Sequence, residues 1–395
     1  MSQISTYAQD YLPLFHRYED EYFHRLQTLV NIDSGTGQVE GVNQITDYLK
    51  QWLSDIGFSV SLHPSEEFGN NLVARRRGTG KVSVLLVGHI DTVYPAGAAR
   101  ARPFSIHEGV ASGPGVLDMK SGVVLAIYAL RALLESGFDD YKELVVLFNN
   151  DEEVGSPGSI PLIRTIAHQV DYALVLEPAG KLSSLTNSRK GTDKYMLEVH
   201  GISAHSGVEP YKGRSAVVEL AYKILAIQNL HAIFPGVTFN ITKLSSSEPL
   251  NVVPDRARCF ISVRSFSARG LDAAAEALEN IASSNNTPDT RAILTRNTGR
   301  PPYESLPAVQ RLVQFAEVEG QSLGLHLKAE PKGGVSDANI LIEAGVPTLD
   351  TLGSVGGGMH NLEREHMVTG SIPLRGSLIT GLIRRICVSE SGASQ

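Results

Sequence analysis

The stretch Asn149-Asn150-Asp151-Glu152-Glu153-Val154-Gly155-Ser156 follows directly on the apolar run Leu144-Val145-Val146-Leu147-Phe148. A continuous, β-branched apolar run predicts a buried strand of a parallel sheet. In open α/β sheets, ligands gather outside the carboxyl ends of strands, which is where these polar side chains lie. Two adjacent glutamates need a nearby positive charge to remain anionic, and a metal ion would supply it. The stretch therefore predicts a metal site, in which one glutamate ligates while the other handles protons, or else a solvated acidic loop.

The composition describes an ordinary globular protein of 395 residues, of which 42% are hydrophobic and 19% are charged. This length favours two domains over one. The net charge of −7 and the absence of any run rich in lysine and arginine disfavour binding to nucleic acid.

Cysteine usage limits the ligands that a metal site can use. Cys259 and Cys387 are the only cysteines, and they do not form a Cys-x-x-Cys motif. Any metal site must therefore be built from His, Asp and Glu. The first residues do not resemble a signal peptide, and no apolar stretch reaches membrane-spanning length. We therefore expect a cytoplasmic enzyme with no membrane partner.

A second apolar run, at residues 81–87, delivers Gly88-His89-Ile90-Asp91-Thr92-Val93 at its carboxyl end. Side chains at positions i and i+2 of a strand point to the same face. His89 is therefore placed to ligate a metal while Asp91 orients its imidazole through the other nitrogen. A His-x-Asp triplet also arises by chance, so this motif alone is weak evidence.

Three further candidate ligands lie at turns or at the ends of predicted strands. Asp118 precedes a predicted helix over 123–135, where it is either a ligand or an N-cap; Glu177 ends the run 172–176, and His360 follows the strand 347–352 and a glycine-rich turn. With Glu153 and His89, they form a set without thiolate, which suits two zinc ions, with cobalt or manganese as substitutes. Such a pair of ions would polarise a carbonyl and activate a water, from which Glu152 takes the proton.

The pattern of elements changes between residues 191 and 298. The order is strand, helix, strand, strand, helix, strand, which is the ferredoxin-like arrangement. We therefore predict an α/β catalytic domain made of residues 1–190 and 299–395, with an inserted α+β domain at 191–298.

The sequence resembles the dinuclear zinc peptidases and deacylases, which include glutamate carboxypeptidase of the carboxypeptidase G type, peptidase T, aminoacylase and succinyl-diaminopimelate desuccinylase. The motifs that carry the resemblance, in chain order, are Gly88-His89-Ile90-Asp91-Thr92-Val93, Gly113-Pro114-Gly115-Val116-Leu117-Asp118-Met119-Lys120-Ser121-Gly122, Asn150-Asp151-Glu152-Glu153-Val154-Gly155-Ser156, Glu177-Pro178 and Gly358-Met359-His360. Each motif is loose by itself, and their combination in this order is specific. The resemblance implies a mixed-sheet, aminopeptidase-like catalytic domain and a homodimer formed through an inserted lid domain.

The resemblance also implies roles for individual residues. His89 and Glu177 would hold one zinc, Glu153 and His360 the other, and Asp118 would bridge them. Asp91 would orient His89, and Glu152 would be the catalytic base. In Gly201-Ile202-Ser203-Ala204-His205-Ser206, His205 matches a histidine that stabilises the oxyanion, usually in the partner subunit's active site. His205 could instead be an ordinary loop residue.

Three residues of the inserted domain and its junction match substrate-binding positions of the glutamate carboxypeptidase branch: Arg264, Arg300 and Asn240. The planar guanidinium suits the carboxylates of a substrate, although a structural salt bridge is an alternative role for each arginine. The family's arginine-rich run is here Arg296-Asn297-Thr298-Gly299-Arg300-Pro301, which leaves open which arginine binds substrate.

We therefore expect a dizinc metallocarboxypeptidase that releases a C-terminal amino acid, with glutamate as the expected residue, from a peptide or an N-acyl substrate. A deacylase that releases an acetyl or succinyl group would share every metal ligand. A non-catalytic, metal-binding homologue would not need Glu152, and a scaffold built on the lid dimer would tolerate loss of all five ligands.

Overall fold

A computed structural model describes residues 5–247 and 250–392. The helices, in chain order, are α1 (Ala8–Val30), α2 (Val39–Asp55), α3 (Ala98–Ala101), α4 (Ser121–Glu135), α5 (Ile160–Ala167), α6 (Ala216–Ile233), α7 (Ala268–Ser283), α8 (Pro307–Ser322), α9 (Ala338–Glu343) and α10 (Ser371–Gly392). The strands are β1 (Ser59–Ser65), β2 (Gly69–Arg77), β3 (Ser83–His89), β4 (Ser105–His107), β5 (Val110–Ser112), β6 (Glu143–Asn149), β7 (Tyr172–Val175), β8 (Ser184–Arg189), β9 (Gly191–His200), β10 (Ala204–His205), β11 (Thr238–Ser246), β12 (Val252–Val253), β13 (Arg256–Ser265), β14 (Arg291–Thr298), β15 (Lys328–Lys332), β16 (Thr348–Leu349), β17 (Gly356–Gly357) and β18 (His366–Val368).

The chain divides into two compact units. Unit 1 comprises the chain up to Asn187, Ser305–Pro331, and the chain from Ser336 onward, while unit 2 comprises Ser188–Glu304 and Lys332–Val335. The predicted inserted domain, residues 191–298, falls within unit 2. Its exact boundaries and its role as a lid stay predictions.

Unit 1 is built on a mixed sheet with the strand order β1-β2-β6-β3-β7-β16. The first three strands pair in antiparallel fashion, and β6, β3, β7 and β16 run parallel. His89 pairs with Asn149 across β3 and β6, so these two strands end together. The carboxyl ends of β3, β6 and β7 therefore share one edge, which is where the sequence places its candidate ligands.

The apolar faces of α1, α2, α4 and α10 pack with the sheet into the core of unit 1. The helix α4 is deeply placed, since its residues from Ser121 to Leu130 are all buried. A predicted strand at 347–352 is shorter in the structure, where β16 is only Thr348–Leu349. The positive φ of Thr351, +67°, turns the chain out of the ladder soon after Leu349.

A second, small sheet of unit 1 has the order β17-β18-β5-β4 and was not anticipated from the sequence. Its strands have two or three residues each, too short for an alternating pattern to indicate them. Met367 of β18 pairs with Ala111 of β5. The sheet thus joins the segment that follows His360 to the segment that precedes Asp118.

Unit 2 has an antiparallel sheet with the order β11-β13-β9-β14. The connection β9-α6-β11-β13-α7-β14 places the first and third of these strands in the centre, as in a ferredoxin-like fold. Both helices pack on one face of the sheet, around a core that includes Leu197, Phe239 and Ile261. Among the described residues, neither α6 nor α7 packs on the opposite face.

The helix α6 corrects one expectation, because its 18 residues have a mean hydropathy of 1.2 and so reach membrane-spanning length and composition. In the structure one face of α6 packs on the sheet of unit 2, and 33% of the helix is buried. Its buried face carries apolar side chains such as Leu220 and Ile227 together with an ion pair. Glu219 and Lys223 are buried, whereas Tyr222 and Leu225 are exposed.

Candidate metal centre

His89 lies at the carboxyl end of β3, with both ring nitrogens facing acidic residues. Its Nε2 is 3.2 Å from Asp118 Oδ1 and 4.0 Å from Glu177 Oε1. Its Nδ1 is 3.0 Å from the backbone carbonyl oxygen of Asp91 and 3.4 Å from the side-chain Oδ1. Asp91 therefore contacts the imidazole through its backbone as well as through its carboxylate.

The buried carboxylate of Asp91 also holds the turn that carries the two glutamates. Its Oδ1 accepts the backbone N–H of Glu152 at 3.1 Å, and its Oδ2 accepts that of Glu153 at 3.2 Å. The hydroxyl of Thr36 donates to Oδ2 at 2.7 Å. Nothing in the sequence indicates this role of Thr36, since a lone threonine before α2 carries no signal. Asp91 thus joins the His89 strand to the Glu152–Glu153 turn.

Asp118 lies between the two candidate imidazoles. Its Oδ2 is 3.3 Å from His360 Nε2, on the other side of the carboxylate from the oxygen that faces His89. The same His360 nitrogen is 3.3 Å from Glu153 Oε2. Two groups have ligand atoms that all lie within 4.8 Å of one another: His89 with Asp118 and Glu153, and His89 with Glu152 and Glu177.

All the candidate ligands, together with Asp91 and Glu152, therefore meet in unit 1. Its turns and strand ends bring together residues that are up to 271 positions apart in the chain, from His89 to His360. Their separate roles as ligand, bridge or base stay predictions.

The acidic residues impose a strong negative potential on the two imidazoles. Burial lowers the pKa of His89, but hydrogen bonds and charge interactions with Asp118 and Asp91 outweigh it and raise the pKa well above its usual value. Hydrogen bonds with Asp118 and Glu153 raise the pKa of His360 to about 10. Burial raises the pKa of Asp118, but the hydrogen bonds to His360 and His89 outweigh it and leave the pKa far below its usual range.

This donor set fits a divalent cation. Two imidazoles and four carboxylates converge without a thiolate, which is the ligand chemistry of zinc, cobalt or manganese sites. The potential that attracts protons to the imidazoles would equally attract cations.

Glu365 is a further buried acid beside this cluster that the sequence analysis missed. Its carboxylate accepts the backbone N–H groups of Gly115, Leu117 and Asp118 and the hydroxyl of Tyr94. Burial raises the pKa of Glu365, while these donors act in the opposite direction. No local pattern in the polar run around Glu365 indicates that its side chain is buried.

Two of the predicted substrate-binding residues lie on the face of the unit 2 sheet opposite to α6 and α7. Asn240 pairs with Ser262 and Thr238 pairs with Arg264, so Asn240 and Arg264 point to the same side. Arg264 donates from Nη1 to the carbonyl oxygen of Gly333 at 3.0 Å. The side chain of Arg300 is buried.

Arg296 is the other arginine of the run Arg296–Pro301 that could bind substrate, and it forms an ion pair. Its Nη2 is 2.7 Å from Asp193 Oδ2. Arg296 therefore pairs with a carboxylate of the protein itself, which is the structural role that the sequence offers as the alternative to substrate binding.

His205 is exposed in unit 2, in the short strand β10. Its Nδ1 accepts the backbone N–H groups of Gly207 and Val208, both at 3.1 Å. Because an acceptor nitrogen is unprotonated, the ring proton of neutral His205 lies on Nε2. The side chain therefore presents an N–H donor.

Comparisons with a family model and with known proteins assign the chain to the same family. Residues 85–385 match the model of Peptidase family M20/M25/M40. Carboxypeptidase G2 of Pseudomonas sp. (strain RS-16) is 34% identical over 89% of this chain and 85% of its own length. Succinyl-diaminopimelate desuccinylase of Rickettsia bellii (strain RML369-C) is 24% identical over 80% of this chain and 85% of its own length.

The fold is also that of solved peptidases. The crystal structure of aminopeptidase PepT from Bacillus cereus ATCC 10987 superposes with a TM-score of 0.79 at 21% identity, covering 93% of this chain and 98% of that one. The match includes the mixed sheet of unit 1, and the family is one of metal-dependent hydrolases. The chain belongs to peptidase family M20/M25/M40 and is a metallopeptidase or amidohydrolase of that family.

Proposed function

We propose that this protein is a dizinc amidohydrolase of the carboxypeptidase type, which releases a C-terminal amino acid from a peptide or an N-acyl substrate. Glutamate is the residue proposed to be released. The observation that carries the proposal is the cluster of His89, Asp118, Glu153, Glu177 and His360 with Glu152 beside it. The similarity to a protein named Carboxypeptidase G2 supports the choice of reaction.

In this proposal, His89 and Glu177 hold one zinc, Glu153 and His360 hold the other, and Asp118 contacts both. The arrangement of Asp118 supports a bridging role, because its two oxygens face different imidazoles. Two such cations supply Lewis acidity, which polarises a scissile carbonyl and lowers the pKa of a water.

Glu152 is proposed to take the proton of the attacking water and to deliver it to the leaving amine. Its position depends on Asp91, whose carboxylate accepts the Glu152 backbone N–H. The same carboxylate holds the adjacent Glu153, so base and ligand share one anchor. This arrangement separates the functions of two neighbouring glutamates, one in proton transfer and one in metal binding.

Residues of unit 2 are proposed to bind the substrate. His205 would donate its Nε2–H to the developing oxyanion, as the acceptor role of its Nδ1 allows. Arg264, Arg300 and Asn240 would recognise the carboxylates of the released residue. The shared orientation of Asn240 and Arg264 supports a common binding surface.

A deacylase that releases an acetyl or succinyl group is the second candidate. The match to proteins named succinyl-diaminopimelate desuccinylase and acetylornithine deacetylase favours it. The metal ligands do not separate the two reactions, since both hydrolyse an amide bond.

A substrate panel with controlled metal content tests the proposal. We expect the zinc-loaded protein to release glutamate from folate-like N-acyl glutamates and from peptides that end in glutamate, faster than it cleaves acetyl or succinyl amino acids. Chelation should abolish turnover, and added zinc or cobalt should restore it. Turnover confined to acetyl or succinyl substrates would move the protein to the deacylases. Silence across the panel with zinc bound would favour a non-catalytic homologue.

We also propose a cytoplasmic homodimer that forms through the outer face of α6 and the edge strand β11. The exposed side chains of Tyr222 and Leu225 on α6 and Leu244 on β11 are large and apolar. An unpaired edge strand beside an apolar helix face is a surface that proteins usually cover. Two free cysteines, Cys259 and Cys387, are compatible with a reducing compartment.

A charge placed on this face should separate the subunits. We expect Leu225→Glu to convert the dimer to a monomer in light scattering, because Leu225 is 64% exposed in the isolated chain and would face its counterpart's apolar surface. If His205 serves the partner subunit's centre, the monomer should also lose hydrolysis while it keeps its zinc. Asn280→Glu, on the exposed face of α7, is the control and should remain dimeric. A fully active monomer would contradict the role of His205 across the interface.

A further inference from the structure

We infer that Glu365 is a positioning residue, which locks the turn that carries Asp118 to the segment that carries His360 and so sets the spacing of these two metal ligands. The inference rests on the proposed metal centre. It concerns a residue that lies outside the predicted ligands and adds a structural requirement for binding both cations.

The carboxylate of Glu365 is completely buried and is surrounded by donors. Its Oε1 accepts the backbone N–H of Leu117 at 2.8 Å and that of Asp118 at 3.0 Å. Its Oε2 accepts the backbone N–H of Gly115 at 3.1 Å and the hydroxyl of Tyr94 at 2.5 Å. One side chain therefore satisfies three backbone groups of the turn that ends at Asp118.

The backbone between His360 and Glu365 is a closed turn. The N–H of Asn361 donates to the carbonyl oxygen of Gly358 at 3.1 Å, and the N–H of Glu365 donates to the carbonyl oxygen of Asn361 at 2.8 Å. Gly358 has φ +74°, and a Cβ there would lie 2.2 Å from the carbonyl oxygen of Arg364. These contacts hold the main chain between His360 and Glu365 in one turn, so the two residues are joined by a short, hydrogen-bonded segment.

The strand β18 fixes the other side of Glu365. His366 pairs with Gly357 of β17 and with Ser112 of β5. The residue after Glu365 is thus paired on both sides, while the carboxylate oxygens of Glu365 accept N–H groups of the Asp118 turn. Because the backbone N–H of Asp118 itself donates to Glu365, a shift of this carboxylate would move a ligand directly.

The chemistry of the side chain makes a carboxylate necessary. An ionised carboxylate only accepts hydrogen bonds, and four donors meet its two oxygens. A glutamine of the same shape has one acceptor oxygen, so its NH₂ group would face the N–H groups of Leu117 and Asp118 in one orientation and that of Gly115 in the other. Glu365→Gln therefore keeps the volume and places an N–H donor against at least one backbone N–H of the Asp118 turn.

Zinc affinity measured by competition with a chromophoric chelator tests this inference. We expect Glu365→Gln to weaken zinc binding about 10-fold to 100-fold, the usual effect of losing a group that orients metal ligands. The cobalt-substituted variant should also show a changed d–d absorption spectrum, which reports ligand geometry independently of activity.

Glu319→Gln is the matched control, since Glu319 is as completely buried as Glu365 and belongs to the same unit. Its carboxylate accepts the backbone N–H groups of Tyr7 and Ala8 at the start of α1 and pairs with Arg385. We expect this variant to melt at a lower temperature while it binds zinc as tightly as the wild type. A purely structural Glu365 would behave in the same way.

Tyr94→Phe provides a milder variant in case Glu365→Gln does not fold. It removes one donor to Glu365 Oε2 and should weaken zinc binding several-fold with a small change in the cobalt spectrum. Unchanged zinc affinity and an unchanged spectrum in the folded variants would overturn the inference. If the wild type itself does not bind two zinc ions, the proposed function fails instead, so the two failures are distinguishable.

Discussion

Glu152→Gln is expected to lower kcat for amide hydrolysis by about 10²–10⁴-fold, while zinc content and melting temperature stay at wild-type values. The substitution keeps the shape of the side chain. It also keeps the hydrogen bond from the backbone N–H of residue 152 to the Asp91 carboxylate, because that bond does not involve the Glu152 side chain. It removes the one group proposed to accept a proton from water. Steady-state kinetics with the best substrate of the panel, together with zinc analysis, measures the effect.

Two comparison variants make this result specific. Glu153→Gln should lose zinc as well as activity, because the Glu153 carboxylate faces His360 at 3.3 Å. Glu363→Gln changes an exposed glutamate near His360 and should behave as the wild type. Full hydrolysis by Glu152→Gln would refute the proton-transfer role, and zinc loss in that variant would make Glu152 a ligand instead.

Lys223→Met should lower the free energy of unfolding of unit 2 by about 3–5 kcal/mol, the usual cost of removing one partner of a buried ion pair. Lys223 Nζ is 3.1 Å from Glu219 Oε1 and donates to the carbonyl of Ile281 at 2.8 Å. Glu219 accepts the N–H groups of Asn286 and Thr287. The pair therefore joins α6 to the end of α7 and to the loop that follows.

Chemical denaturation followed by a probe in unit 2 measures this effect, and an exposed pair supplies the control. Lys212 Nζ lies 2.6 Å from Glu209, with both side chains largely in solvent. Lys212→Met should cost less than about 1 kcal/mol, because water already solvates these charges. Equal losses in the free energy of unfolding for the two substitutions would show that burial does not strengthen the pair of Glu219 and Lys223.

The stabilising effect of Glu219 should depend on pH in a defined direction. Burial raises the pKa of Glu219, but hydrogen bonds from the Thr287 amide and Lys223 outweigh it and leave the pKa lowered. A lowered carboxyl pKa stabilises the folded state at neutral pH, and this contribution disappears as the pH falls through the acidic range in which glutamate titrates. The difference between the wild type and Lys223→Met should therefore narrow in acid.

Much of the fold follows from local patterns. The apolar runs that became β3, β6 and β7 are continuous because these parallel strands are buried on both faces. In unit 2, the alternation of β9 and β13 and the helices α6 and α7 give a ferredoxin-like order that is visible in the sequence. The strands of β17 and β18 were missed, because two or three residues cannot establish a period.

The sequence also does not indicate which side chains of α6 are buried. An apolar stripe was visible, but the stripe does not state which side faces the core. In the structure, the polar residues Glu219 and Lys223 are inside because they pair with each other and with backbone groups of the α7 end. The apolar side chains of Tyr222 and Leu225 are left outside, which supports the proposed dimer.

The sequence by itself identified the family and the seven residues that meet in unit 1, because parallel strands align their carboxyl ends and each candidate ligand lies at or near the end of a strand or glycine turn. Only the tertiary structure decided how those residues are held. Asp91 anchors the Glu152–Glu153 turn, and Glu365 anchors the Asp118 turn, through backbone N–H groups of segments distant in sequence. Every residue except proline carries the same backbone N–H donor, so the sequence does not indicate which N–H groups a buried carboxylate accepts. The packing of the chain decides it.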